Sequence, residues 1–162
     1  MSNCDFHTLD VELESSAGGR RRLSEHRGRV VVVFWEDRER LGDNRALKDA
    51  LTRLTLDREL GRELAIVAVG DVKAFDFAPA RNIVRGAIAT IARTIGVEIL
   101  FDWQGAMTAA PFAFVPGESN VLVLDRDGHV LARASGALDA TEQRRVLDRV
   151  RAAVGPRTRV AA

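Results

Sequence analysis

Two runs of the chain leave no face for water. Val30-Val31-Val32-Val33-Phe34-Trp35 is apolar at every position, and so is Leu64-Ala65-Ile66-Val67-Ala68-Val69. A β-branched run without polar alternation reads as a strand buried between two layers. Between the runs, residues 36–42 are charged and end in glycine, which reads as a loop. Asp43 or Asn44 can cap the helix that follows, and Leu47, Leu51 and Leu54 recur at spacings of four and three to give it one apolar face. Two such strands joined through a helix pair in parallel inside a covered sheet.

The remaining segments extend that unit. Phe6, Leu9, Val11 and Leu13 alternate loosely and read as a peripheral strand, followed by a turn at Gly18-Gly19. Residues 71–79 form a long loop carrying Phe75 and Phe77. A strong helix follows, with Val84, Ala87, Ile88, Ile91, Ala92 and Ile95 in one stripe and Gly96 as its stop. Residues 97–101 read as a short strand, and 102–116 as a short helix and then a loop. Val121-Leu122-Val123-Leu124 and residues 129–134 form a hairpin around Asp125-Arg126-Asp127-Gly128. The last helix, capped by Asp139 or Thr141, turns Val146, Leu147, Val150 and Val154 inward and ends at Gly155-Pro156. The order β, β, α, β, α, β, β, β, α predicts an α/β three-layer sandwich, with a mixed central sheet and helices on both faces. One domain spans residues 1–155, with 156–162 as a flexible tail.

A chain of 162 residues buries enough surface to fold without a disulfide or a metal. Its 24 basic and 23 acidic residues nearly cancel, which argues against nucleic acid as a partner. Lys48 and Lys73 are the only lysines, so 22 of the basic residues are arginines; they are interleaved with acids as on a solvated surface. The Arg-rich end of the last helix suits the helix dipole. No apolar run is long enough for a membrane span. The opening residues Met1-Ser2-Asn3-Cys4-Asp5 carry no basic and apolar leader, so the expectation is a cytoplasmic protein. Cys4 is the one cysteine, with no charge partner to activate it, and reads as incidental. His7, His26 and His129 lie on separate elements. The acidic loop with Glu36, Asp37 and Asp43 lacks the spacing of a calcium loop, and Arg38 and Arg40 offset its charge. No metal and no cofactor are expected. Ser119 and Thr108 are the hydroxyl candidates for a nucleophile, and neither lies in a nucleophile-elbow pattern.

Several stretches resemble thioredoxin-like proteins of the peroxiredoxin and TlpA type. Asp5-Phe6 resembles their D-F-x-L opening. Leu23-Ser24-Glu25-His26-Arg27-Gly28-Arg29-Val30-Val31-Val32-Val33-Phe34-Trp35 resembles their L-S-x-x-R-G-K-V-V-L-V-x-F-W, and Ile99-Leu100-Phe101-Asp102 a strand ending in L-D-x-x-G. Val121-Leu122-Val123-Leu124-Asp125-Arg126-Asp127-Gly128-His129-Val130 resembles the V-x-L-I-D-x-x-G-x-V hairpin. Within that superfamily, Glu118 to Val130, continuing into Gly136-Ala137-Leu138, is most similar to YtfJ-type proteins with E-S-S-A-V-V-V-L-D-K-D-G-x-V. Those proteins carry export signals, which this chain does not show.

The resemblance implies a chemical site that the sequence does not supply. Thioredoxin-like enzymes place C-x-x-C at a helix N-terminus after the F-W strand, where the dipole favours thiolate. Counting from Trp35, the two positions fall near Glu39 and Gly42. The cis-proline that faces those cysteines falls at Ser119, where a non-proline cis bond would cost roughly 3–4 kcal/mol, so Ser119 is expected to be trans. The loops after Trp35 and Trp103 converge near this site with Phe75, Phe77, Phe112 and Phe114. These aromatics either form an apolar recognition surface or cap the ends of the sheet as core. The candidate binding surface is Trp35, Glu36, Asp37, Glu39, Trp103, Ser119 and Asn120, with no catalytic residue among them. The leading expectation is a non-catalytic thioredoxin-like binding or regulatory domain whose partner is another protein. Alternatives are an enzyme or small-ligand binder with a repurposed pocket around Trp35, Glu36 and Ser119, and a subunit of an assembly such as a homodimer.

Overall fold

A computed structural model describes residues 8–155. The expectations placed on Cys4, Phe6, His7 and the 156–162 tail lie outside the described residues. Seven strands form one mixed sheet: β1 (Glu12–Ser15), β2 (Arg20–Arg22), β3 (Val30–Glu36), β4 (Leu64–Asp71), β5 (Ile99–Asp102), β6 (Asn120–Leu124) and β7 (Val130–Ser135). Their order is β2-β1-β5-β4-β3-β6-β7. β5, β4 and β3 run parallel, with β6 antiparallel to β3 and β1 antiparallel to β5. The three α-helices are α1 (Arg45–Leu56), α2 (Ala80–Ile95) and α3 (Ala140–Val154).

The two apolar runs pair with each other along β3 and β4, from Val30 opposite Leu64 to Glu36 opposite Gly70. Alternate residues then feed two cores. Val30, Val32 and Phe34 pack against Leu47 and Leu51 of α1 and Val146, Val150 and Val154 of α3. Val31, Val33 and Trp35 pack with Val67, Val69, Leu100 and Leu122 beneath Leu23, Met107, Phe112 and Phe114. The crossovers β3-α1-β4 and β4-α2-β5 step the same way along the sheet. Right-handed connections therefore put α1 and α2 on one face. Glu14 and Phe101 stand opposite each other in the β1–β5 pair and both meet α2 on that face. The other face is covered by 3-10 turns, Leu23–His26 and Ala106–Thr108, and their loops.

Several elements differ from expectation. The N-terminal strand sits inside the sheet, between β2 and β5, because residues 20–22 fold back on it as the edge strand. The strand expected over 97–101 starts at Ile99, and the helix expected within 102–116 shortens to the turn Ala106–Thr108. Glu36, assigned to a loop, is the buried last residue of β3. Asn44 occupies the N-cap of α1 but in a left-handed conformation, φ 56°, with its side chain turned away from the helix amides. Asp139, not Thr141, caps α3, in a reciprocal capping box with Glu142. The stripe of α2 divides: Val84 and Ile88 pack inward and Ala92 is buried, whereas Ile91 and Ile95 are exposed. The hairpin after β6 turns through Gly128 at φ +90°, where any Cβ would lie 2.3 Å from the Arg27 guanidinium. Only glycine fits there. Among the described residues, no helix is long and apolar enough to cross a membrane.

Candidate functional site

The three parallel strands end together on one edge of the sheet, the edge where open α/β sheets usually hold ligands. Glu36 ends β3, Asp71 ends β4 and Asp102 ends β5, and Ser119 immediately precedes β6. The register sets Trp35 opposite Asn120, so Glu36 and Ser119 meet across the β3–β6 pair. Ser119 Oγ donates a short hydrogen bond to Glu36 Oε1. Lys48, reaching over from α1, donates to the same carboxylate at 2.7 and 2.8 Å and to the Leu41 carbonyl at 3.1 Å. Asn44 completes the cluster. Its Nδ2 donates to Ser119 Oγ at 2.9 Å and to the Gly136 carbonyl at 3.0 Å, and its Oδ1 accepts from the Leu138 amide at 2.8 Å. The left-handed backbone at Asn44, a conformation asparagine tolerates better than most residues, goes with this use of its side chain. Glu36, Asn44 and Ser119 are all buried.

This cluster is closed on itself. The buried carboxylate has a cation and a hydroxyl donor, as burial demands. Ser119 Oγ both donates and accepts inside the protein and has no exposed surface, so it offers no nucleophile to a substrate. Thr108 donates its hydroxyl to the Gly105 carbonyl at 2.7 Å within its own turn. Cis peptide bonds precede Pro79 and Pro111, and the bond before Ser119 is not among them.

The candidate residues separate by depth. Trp35 is fully buried, its indole N–H donating to Asp102 Oδ2 at 3.1 Å, and the Ala106 and Met107 amides donate to the same carboxylate. Trp103 is buried against Phe101, and its N–H bonds Glu14. Asn120 uses both ends of its amide to hold the 115–118 loop through Val115 and Glu118. Phe112 and Phe114 belong to the core beside Trp35. These residues therefore cap the sheet and present no recognition surface. Asp37 is partly exposed and accepts from the Glu39 and Arg40 amides, so it starts the 3-10 turn Arg38–Arg40. Glu39, expected opposite Ser119, points into solvent on that turn. Glu36 takes its place because the strand runs one residue further than its charge suggested.

Among exposed charged residues such as Glu39, Arg40 and Lys73, this end of the molecule also exposes apolar ones. Leu41 is 62% exposed, Phe75 42%, Phe77 59% and Val115 43%, and they lie on the three loops that leave β3, β4 and β5. Sequence reasoning named Phe75 and Phe77 but missed Leu41, an isolated apolar residue in a polar loop, and Val115, which follows the buried Phe112 and Phe114 in an apolar stretch. Asp71 stands between the Asp37 and Asp102 charges. Burial first, and those two charges after it, push its carboxyl above the usual range against the pull of the Lys73 amide and side chain. At the opposite end of β6, Asp125, Asp127 and His129 bring ligand atoms within 4.8 Å of one another. There Asp125 accepts from the Asp127 and His129 amides at 2.9 Å and faces the His129 ring at 3.2 Å. Burial alone would raise the Asp125 carboxyl, but those bonds together hold it below its usual range. The group thus serves the hairpin turn.

No family model matches the sequence, and no curated protein aligns with it. Solved structures do match, across nearly the whole chain. One is described as a thiol:disulfide interchange protein, DsbE, of Chlorobium tepidum: 18% identity, TM-score 0.67, 91% of this chain and 95% of that one. A thiol-disulfide isomerase of Corynebacterium glutamicum has 14% identity, TM-score 0.67, and coverage of 94% and 98%. The peroxidoxin BcpB of Mycobacterium tuberculosis has 24% identity, TM-score 0.58, and coverage of 90% and 94%. The chain has the thioredoxin-like fold. At these identities the likeness is one of architecture.

Proposed function

We propose that this chain is a thioredoxin-like domain that does not exchange disulfides and instead binds another protein. It uses the loops at the carboxyl end of its parallel strands. The observation that carries the reading is the closed Glu36–Lys48–Ser119–Asn44 cluster, built on Ser119 where the resemblance places the cis-proline, while the two thiol positions that it implies hold Glu39 and Gly42, both exposed. Exchange needs an attacking thiolate and a resolving thiol, and the chain's one cysteine is Cys4. The exposed residues Leu41, Phe75 and Val115, one on each loop, supply the apolar centre that a protein partner would bury. The likeness of residues 118–138 to YtfJ-type proteins, a group sometimes labelled regulatory, is part of the same proposal.

The alternative of a repurposed pocket around Trp35, Glu36 and Ser119 has less support, because all three are buried and bonded to their neighbours. The test is a binding measurement. A partner isolated with the full chain should lose at least about tenfold in affinity, some 1.4 kcal/mol, when Leu41→Asp and Phe75→Asp are combined, with the circular dichroism spectrum unchanged. A partner bound equally well by that variant would refute the surface.

A further inference from the structure

Among the described residues, exposed large hydrophobics concentrate on one segment besides the loops already considered. Ile83, Ile91, Ile95 and Val97 are 44–67% exposed, and all lie on α2 or within two residues of its end. The helix does not need them for its own attachment. Val84 and Ile88 pack on Val72, Phe101 and Trp103. Arg81 and Arg85 bind Glu14, and their guanidinium carbons stack 4.7 and 5.7 Å from the centre of the Trp103 ring. On a different flank, Ile83, Ala87, Ile91 and Ile95 follow at intervals of four. They form a continuous ridge about 18 Å long at 1.5 Å per residue.

We propose that this ridge is the contact face of a homodimer, with α2 packed antiparallel on α2 of a second copy. The ridge is self-complementary. A two-fold axis passing between Ala87 and Ile91 sets Ile83 against Ile95 of the partner subunit and Ala87 against Ile91 of the partner subunit. Large side chains then meet small at the centre, as ridge-into-groove packing requires, at a crossing angle near −50°. An isologous contact of this kind closes after two copies. The residues flanking the ridge are Ala80, Thr90 and Thr94. The charged residues of α2 lie off it: Arg81 and Arg85 on the Glu14 side, and Arg93 bonded to Thr90 Oγ1 at 3.2 Å. At about 100 Å² for each of Ile83, Ile91, Ile95 and Val97, and with Ala87, Thr90 and Thr94 between them, the strip reaches about 600 Å², the low end of what one partner of a stable interface buries. This inference is independent of what the strand-end loops bind.

The experiment is sedimentation equilibrium of the full chain over a range of concentrations, with Ile83→Asp, Ile91→Asp and Val130→Asp beside it. Val130 is exposed on β7, one of the two edge strands of the sheet and the one with an exposed large hydrophobic. The wild-type chain should sediment at twice its monomer mass. Ile91→Asp should raise the dimer dissociation constant at least about tenfold, and Val130→Asp should leave it unchanged. Both ridge positions are exposed, so either variant serves if the other folds poorly. A wild-type monomer at every concentration would overturn the proposal. So would a dimer indifferent to both ridge variants, or one broken by Val130→Asp. A monomer that pellets with anionic vesicles and loses this with Ile91→Asp would assign the ridge to lipid instead and overturn it as well.

Discussion

Glu36 and Glu14 each tie a helix to the sheet, and they do so in opposite ways. Glu36 is 5% exposed and holds α1 through a single ammonium, with its other bond going to a buried hydroxyl. Glu14 is partly exposed and holds α2 through two guanidinium groups, and it also accepts from the Trp103 indole beside β5. In the first region the apolar face of the helix is already buried, with Leu47 and Leu51 against β3, and the polar cluster seals the strand ends. In the second, ion pairs and stacking do much of the anchoring, and a row of isoleucines is left in solvent. The difference is that a polar cluster seals the strand ends beside α1, while α2 leaves apolar surface in solvent.

The comparison breaks most readily at Glu36. Glu36→Ala should lower unfolding free energy by about 3 kcal/mol, because it leaves Lys48 and Ser119 facing a partly dry gap. Urea denaturation measures it. Glu39→Ala, on the exposed turn, should stay within about 0.5 kcal/mol of wild type. Equal effects at the two positions would remove the distinction between them.

A smaller effect is expected at Glu14. The Arg85 hydrogen bond leads the causes that hold its carboxyl below the usual value, with the Arg81 and Trp103 bonds adding to it against burial. A lowered carboxyl contributes stability that is present above its unfolded value near 4.5 and lost as pH falls through the folded value. Glu14→Gln should therefore cost about 1.5 kcal/mol at neutral pH, with the difference from wild type closing as the solution is acidified below about 4.5. A gap that is the same at both ends of that range would mean that Glu14 acts through packing rather than charge.

The two buried strands and the hairpin were legible because each rests on local chemistry, unbroken β-branched runs and turn residues, while the α3 cap was narrowed only to Asp139 or Thr141. The closed site was legible only in its members. Glu36 and Ser119 lie 83 residues apart, and a charged residue after a strand reads as the start of a loop until its partner is known. Asn44 looked like a cap because the sequence shows its position and not its left-handed backbone. Trp35 and Trp103 were rightly placed near the strand ends, but whether an aromatic there caps the core or faces solvent depends on Asp102 and Glu14, which receive their N–H groups. The exposed ridge of α2 was hidden for a related reason. A helical period identifies apolar residues on a helix without saying how much of that width the sheet covers.

We propose that the sealed polar cluster at the strand ends is not an exchange centre. Turnover tests it most directly: insulin disulfide reduction and peroxide consumption by the full chain, with and without Cys4→Ser. Both proteins should give background rates. Turnover at rates typical of thioredoxin-like enzymes, above all turnover lost with Cys4→Ser, would contradict it.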